Sequence, residues 1–171
     1  MLAQDGRVLA SLAHRRVREY PVSGGPSTIC VSVVDERLSG YAAAVIHELG
    51  WTGVAMVEFK KDDDYLLMEV NPRFWGSMPL ATRAGVNFPH LLCRLAMGEK
   101  IGDVPAYPAG VKLRFLPLDA AAALSALRDP GRRWAYSMGF VRDLFDPGVM
   151  DGILDPGDLD ASLQYLANHL P

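Results

Sequence analysis

The sequence predicts an α+β fold: an antiparallel sheet with helices packed on one side, followed by an α-rich C-terminal extension. Three observations carry this. The first third of the chain strings together extended runs separated by turn residues, as at 7–12 and 28–34. Two further strand-like runs, 53–59 and Tyr65–Asn71, flank the polar turn 60–64 in the manner of an antiparallel hairpin. After Lys100 the pattern becomes helical, with an alanine-rich run at 118–128 and an amphipathic one beginning at Asp158. Residues 1–110 are read as one domain and 111–171 as an extension packed on it.

Taken in order, residues 7–12 follow the turn-prone Gln4-Asp5-Gly6 and read as the second arm of a hairpin whose first arm precedes Met1. His14 to Tyr20 is basic and extended, ended by Pro21, and 23–27 is a glycine-containing loop. Residues 35–49 read as a helix capped by Asp35, with Gly50 in the left-handed position beyond its end. Leu38, Tyr41, Val45 and Leu49 fall at helical spacing and are expected to face the core. Asn87 caps a second helix to about Met97, with Leu91, Leu92 and Leu95 buried and Gly98 closing it. Residues 101–110 hold two prolines and two glycines and read as a loop. A strand at 111–116, the helix at 118–128 and the breaker Asp129-Pro130-Gly131 follow. The Asp-Pro-Gly turns at 146–148 and 155–157 precede a last helix through Leu159, Leu163, Leu166 and Leu170.

Composition narrows the function classes. The chain has 171 residues, enough to bury a core without disulfides, and is 50% hydrophobic and 22% charged. The net charge of −3 argues against a nucleic-acid surface. No apolar run reaches the ~18 residues that a membrane helix needs, and no signal peptide opens the chain, so a cytoplasmic protein with no membrane partner is expected. Cys30 and Cys93 lack metal-ligand spacing and are expected to be buried, reduced thiols.

The chemistry concentrates in Val57-Glu58-Phe59 and Met68-Glu69-Val70-Asn71-Pro72-Arg73. If the hairpin is centred between Asp63 and Asp64, Glu58 faces Glu69 directly and Met56 faces Asn71. Alternation then puts Glu58, Glu69 and Asn71 on one face. Opposed carboxylates repel unless neutralised. Either one of them holds a proton, or a hard divalent cation sits between them, and Mg²⁺ suits such oxygen ligands and is commonly shared with phosphates. Asn71 adds an amide oxygen or fixes a water. Arg73 supplies a planar fork for phosphate or carboxylate, aimed by Pro72. A solvated Glu-bearing hairpin is the structural alternative; the apolar Trp75-Gly76-Ser77-Met78 that follows suggests an enclosed end instead.

Gly50-Trp51-Thr52-Gly53, the strand ending Val57-Glu58-Phe59, the run Glu69-Val70-Asn71-Pro72-Arg73 and Ala84-Gly85-Val86 together resemble the C-terminal part of ATP-grasp enzymes. The likeness spans about residues 5–100 and is nearest to carbamoyl-phosphate-synthase-like and related carboxylate–amine ligases. It implies that 1–110 is the C-terminal part of an ATP-grasp domain. It implies ATP as cofactor with Mg²⁺, or Mn²⁺, held by Glu58, Glu69 and Asn71. It places Arg73 at the transferred phosphate or acyl phosphate and Arg16, in the basic run His14-Arg15-Arg16-Val17-Arg18, near phosphates or a small carboxylate substrate. The family's lysine-bearing N-terminal lobe and adenine-holding linker have no counterpart in the six residues before Arg7, so the chain alone is expected to be inactive.

Two other classes remain open at this stage. One is a non-catalytic or incomplete fragment that binds the missing lobes or self-associates along the 7–12 edge. The other is a metal-dependent hydrolase using the same acids. The Gly24-Gly25-Pro26-Ser27 loop is an anion cradle or an ordinary turn, with the turn favoured. Ser77 has no companion histidine motif, His47 and His90 have no partner at catalytic spacing, and His169 is next to the terminus.

Overall fold

The computed structural model describes residues 1–154 and 157–169, and its architecture is α+β. Asp155 and Pro156 of the second expected Asp-Pro-Gly turn, and Leu170 of the last apolar stripe, lie outside the described residues. In chain order the first elements are β1 (Leu2–Gln4), β2 (Arg7–Ala10), β3 (Ala13–Glu19), β4 (Ser27–Val33) and α1 (Glu36–Glu48). Next come β5 (Gly53–Val54), β6 (Met56–Lys61), β7 (Tyr65–Asn71), α2 (Met78–Arg83) and α3 (Phe88–Ala96). The remainder is β8 (Lys112–Arg114), α4 (Leu116–Ala126), α5 (Arg133–Leu144), β9 (Val149–Asp151) and α6 (Leu159–His169). None of the described helices is long and apolar enough to cross a membrane.

The chain forms two compact units, one from residues 1–14 and 32–110, the other from 15–31 and 111 onward. In the first, a three-stranded sheet runs β2-β1-β5 and the hairpin β6-β7 stands beside it as a separate ribbon. The partner of residues 7–12 is β1, within the chain and not ahead of Met1. The turn is Asp5-Gly6, with both residues at positive φ (50° and 77°) and Gln4 opposite Arg7. A two-residue turn of that hand matches the twist of the strands it joins. Three residues, Leu2 to Gln4, are too few to display an alternation, which is why the sequence hides this arm. β2 therefore already has one hydrogen-bonded neighbour and lies at the edge of its sheet.

Ala3, Ile46 and Ala55 centre the core of this unit, with Val8, Trp51, Val57 and Val70 packed around them. α1 begins as expected: the Asp35 carboxylate accepts from the Leu38 amide at 2.9 Å, and Gly50 takes φ 54° past the end. Its buried face is centred on Ala42 and Ile46, however, and Tyr41 and Leu49 are exposed. Alanine at 42 lets the helix approach closely, which rotates the larger side chains to the rim. α3 is capped by Asn87, whose side chain accepts from the His90 amide at 3.1 Å. Phe88 and Leu91 are its buried residues, while Leu92 and Leu95 are half-buried. Cys30 is buried, and burial pushes its thiol up to about 12, whereas Cys93 is exposed, against expectation. The 101–110 loop has no regular structure but is tied down: Tyr107 Oη accepts from the Ala13 amide and donates to the Val33 carbonyl, both at 2.9 Å.

The second unit is built on the sheet β3-β4-β8-β9. β4 and β8 pair antiparallel, Ile29 opposite Arg114, but β8 and β9 are parallel, Lys112 opposite Val149. β9 lies in the stretch read as turn-rich, because Asp146-Pro147-Gly148 delivers only three paired residues. Buried within this unit is an ion cluster. Arg18 on β3 donates from Nε and Nη2 to the two oxygens of Asp119 on α4, at 2.8 and 2.7 Å, and from Nη1 to Asp143 on α5 at 2.8 Å. The three side chains are 4%, 0% and 1% exposed, and Thr28 on β4 donates to Asp119 at 2.8 Å. Burial opposes the charge of Asp143, but the hydrogen bonds and charges of Arg18 and then Arg142 outweigh it and hold the carboxyl below its ordinary range. Gly139 on α5 makes room for this: a Cβ there would meet Arg18 Nη1 at 2.6 Å.

Because the Asp143 pKa is depressed in the folded state, its contribution is complete above the unfolded carboxyl pKa and is lost as pH falls through the folded one. Chemical denaturation of wild type should therefore lose stability below about pH 4, and Arg18→Met should cost about 3–5 kcal/mol at neutral pH by stranding buried carboxylates. Gly40 of α1 has nothing within 4 Å of a notional Cβ, so Gly40→Ala should stabilise by about 0.5–1 kcal/mol through helix propensity. Gly139→Ala should do the opposite, and amide exchange monitored by NMR would read both changes locally.

Candidate functional site

The acidic site rests on the hairpin β6-β7. Its register places Met56 opposite Asn71, Val57 opposite Val70 and Glu58 opposite Glu69, as the sequence pattern predicts. Beyond that point the register shifts by one, Phe59 pairing with Leu67, so that Met68 is the extra residue of a β-bulge. The turn end of the ribbon is braced against α1. Tyr65 donates its hydroxyl to Asp35 at 2.5 Å, and Asp64 accepts from Arg37 at 2.6 Å and from Tyr41 at 3.2 Å. The Asp35 carboxyl is held below its ordinary range by the Leu38 amide and then by the Tyr65 hydroxyl. Tyr41 thus anchors the hairpin from outside the core, and its ring meets Tyr65 edge-on at 6.4 Å.

At the other end Asn71 joins the two acids. Its Nδ2 donates to Glu69 Oε1 at 2.7 Å and lies 3.5 Å from Glu58 Oε1. The three side chains therefore share one face, with Glu58 and Asn71 half-buried and Glu69 exposed. The amide nitrogen bridges the two carboxylates and so eases their repulsion. No group of three or more His, Cys, Asp or Glu side chains comes together among the described residues. Two carboxylates and an amide nevertheless suit Mg²⁺, which keeps several waters or phosphate oxygens of its own. The donor set fits the ion.

Arg73 is exposed and donates from Nη1 to the Phe74 carbonyl at 3.0 Å, which fixes the start of the next segment. Among the described residues no carboxylate pairs with it. Trp75 is buried against Phe88, ring centroids 5.3 Å apart, and its indole N–H has no acceptor among the described residues. The expected enclosure is thus confined to Trp75, and Pro72, Arg73 and Phe74 are open to solvent. Arg16 belongs to the other unit, where its Nη1 donates to Glu19 at 3.0 Å. Gly25 is required by packing, since a Cβ would meet the Tyr20 carbonyl oxygen at 2.2 Å. That need accounts for the Gly-Gly loop without a ligand.

One pairing escaped the sequence. Ser77, at the start of α2, has its Oγ 2.9 Å from His14 Nε2 across 63 residues of chain. No local spacing signals it, because it depends on how β3 and α2 meet. A separate groove of about 340 Å³ lies between α3 and the 101–105 segment, lined by Asn87, His90 and Arg94 among others, and contains none of the residues of the acidic face.

Residues 1–116 match the sequence model of the family described as ATP-grasp in the biosynthetic pathway with Ter operon. The chain belongs to the ATP-grasp family. It is 30% identical over 115 residues to the carbamoyl phosphate synthase large chain of Rubrobacter xylanophilus, covering 63% of this chain and 11% of that one. It is 27% identical over 93 residues to an acetyl-CoA carboxylase of Dictyostelium discoideum, covering 53% and 4% respectively. The chain thus corresponds to a small part of each of these relatives.

The isosteric change Asn71→Asp replaces a shared donor with a third carboxylate on one face. It should lower hairpin stability by about 1 kcal/mol at low ionic strength, and added salt should recover most of the loss. Thermal melts across a salt series would measure both.

Proposed function

We propose that residues 1–110 are the C-terminal, Mg²⁺-ATP-binding portion of an ATP-grasp ligase that activates a small carboxylate as an acyl phosphate for attack by an amine or similar nucleophile. The observation that carries this is the meeting of Glu58, Glu69 and Asn71 on one face of the hairpin, with Arg73 two residues further on. When bound, Mg²⁺ or Mn²⁺ supplies neutralisation of the phosphate charge. Glu58 and Glu69 would hold it through carboxylate oxygens, and Asn71 would contribute its amide oxygen.

Arg73 would neutralise charge on the transferring phosphoryl group; Arg16, carried by the other unit, is proposed to act on phosphate or carboxylate oxygens. The substrate carboxylate oxygen attacks the γ-phosphorus and ADP leaves with the bridging oxygen. The amine attacks the acyl carbon, the C–O bond to phosphate breaks, and the nitrogen sheds a proton. The chain's contribution is positioning and charge neutralisation, as in other phosphoryl transfers. Complete ATP binding draws on N-terminal lobes, and residues 111–171 are an extension to this portion. A cytoplasmic location accords with an ATP substrate and a reduced Cys30.

Mn²⁺ titration followed by electron paramagnetic resonance tests the site directly. Wild type should bind the ion, and Glu69→Gln should weaken binding tenfold or more with an unchanged circular dichroism spectrum, about 1.4 kcal/mol or more. Equal binding by the two proteins would overturn the assignment. Calorimetry with MgATP on this chain should give little heat; micromolar binding would show a self-sufficient nucleotide site.

A further inference from the structure

α5 is amphipathic in the reverse sense. The side that faces into its unit carries Asp143, held by Arg18, together with the close-approach residue Gly139. The opposite side carries Trp134, Met138, Val141 and, at the helix end, Phe145, which are 69%, 63%, 50% and 79% exposed. Their spacing of four, three and four places them along one line, roughly half a turn from Asp143. Monomeric proteins seldom leave so continuous an aromatic and aliphatic stripe in water. Arg132 and Arg133 stand at its start, the latter's guanidinium 5.8 Å from the centre of the Trp134 ring, and Arg142 flanks it further along.

A surface of the complementary kind exists on the same unit. α6 exposes Leu159 and Leu163, each 63% accessible, and the acids Asp158 and Asp160 flank Leu159 at its start. Leu159 and Leu163 are four residues apart, as are Trp134 and Met138. Laid parallel, the two helices bring Trp134 to Leu159 and Met138 to Leu163, and this alignment sets Arg133 level with Asp158 and within two residues of Asp160. Apolar spacing and charge sign agree in the same alignment.

We propose that α5 of one chain docks on α6 of a second copy, and reciprocally, to form a two-fold symmetric dimer. Each interface strip is used twice, once in each sense, so the contact closes and does not propagate into a filament. The buried aromatic stripe supplies the affinity, with Trp134 as the expected centre. The arginines and aspartates select the parallel register and exclude an α5–α5 pairing, in which like charges would meet.

Sedimentation equilibrium on the full chain should show a dimer at about 100 µM or below, a concentration at which micromolar affinity is readily seen. Met138→Asp, at a solvent-facing position, should give a monomer with an unchanged circular dichroism spectrum. Arg133→Glu and Asp160→Arg should each weaken association tenfold or more, and the double variant should restore it. A monomeric wild type, a dimer indifferent to Met138→Asp, or charge variants that the exchange fails to rescue would each overturn the proposal. A monomer that sediments with phosphatidylserine vesicles would overturn it too and assign the stripe to an anionic lipid surface.

Discussion

Arg18 brings one positive charge into a place where two carboxylates have been stripped of water, and the second unit is arranged around that meeting. Asp119 comes from α4 and Asp143 from α5, so a single side chain on β3 fixes both helices to the strand. The guanidinium suits this because its fork reaches one carboxylate with two bonds and still has a third to give. One charge against two leaves a deficit, which Lys112 and Arg142 reduce from the edges, while Thr28 adds a hydrogen bond to Asp119. Such clusters add little net stability over an apolar core, but they tolerate no half measures. Gly139 shows the same demand from the backbone side, since a helix that would gain from alanine keeps glycine where the guanidinium passes.

The hairpin of the first unit follows the contrary logic. Its like-charged pair is set face to face near solvent and bridged by an amide, while the far end of the ribbon is pinned to α1 through Tyr65, Asp64 and Tyr41. A scaffold that spends rigidity to hold two acids together is suited to something that binds between them.

What could be read from the sequence follows the range of the interactions. The Glu58–Glu69 register was legible because a polar turn fixes the centre of a hairpin, and caps such as Asp35 and Asn87 act within three residues. The bulge was not legible, as nothing distinguishes Met68 from Leu66 or Leu67. Arg18 meets carboxylates 101 and 125 residues away, and no local pattern announces that. β1 and β9 were hidden by their length of three residues, and the core face of α1 by the small size of Ala42.

The bulge at Met68 divides one ribbon into two registers, and that has a consequence for how the hairpin can change. The tip can accept or lose a residue by trading it against the bulge, so variation in the 61–65 turn need not rotate Glu69 away from Glu58. The irregularity works as a slip joint: it lets the braced end drift in length while the acidic end stays in phase.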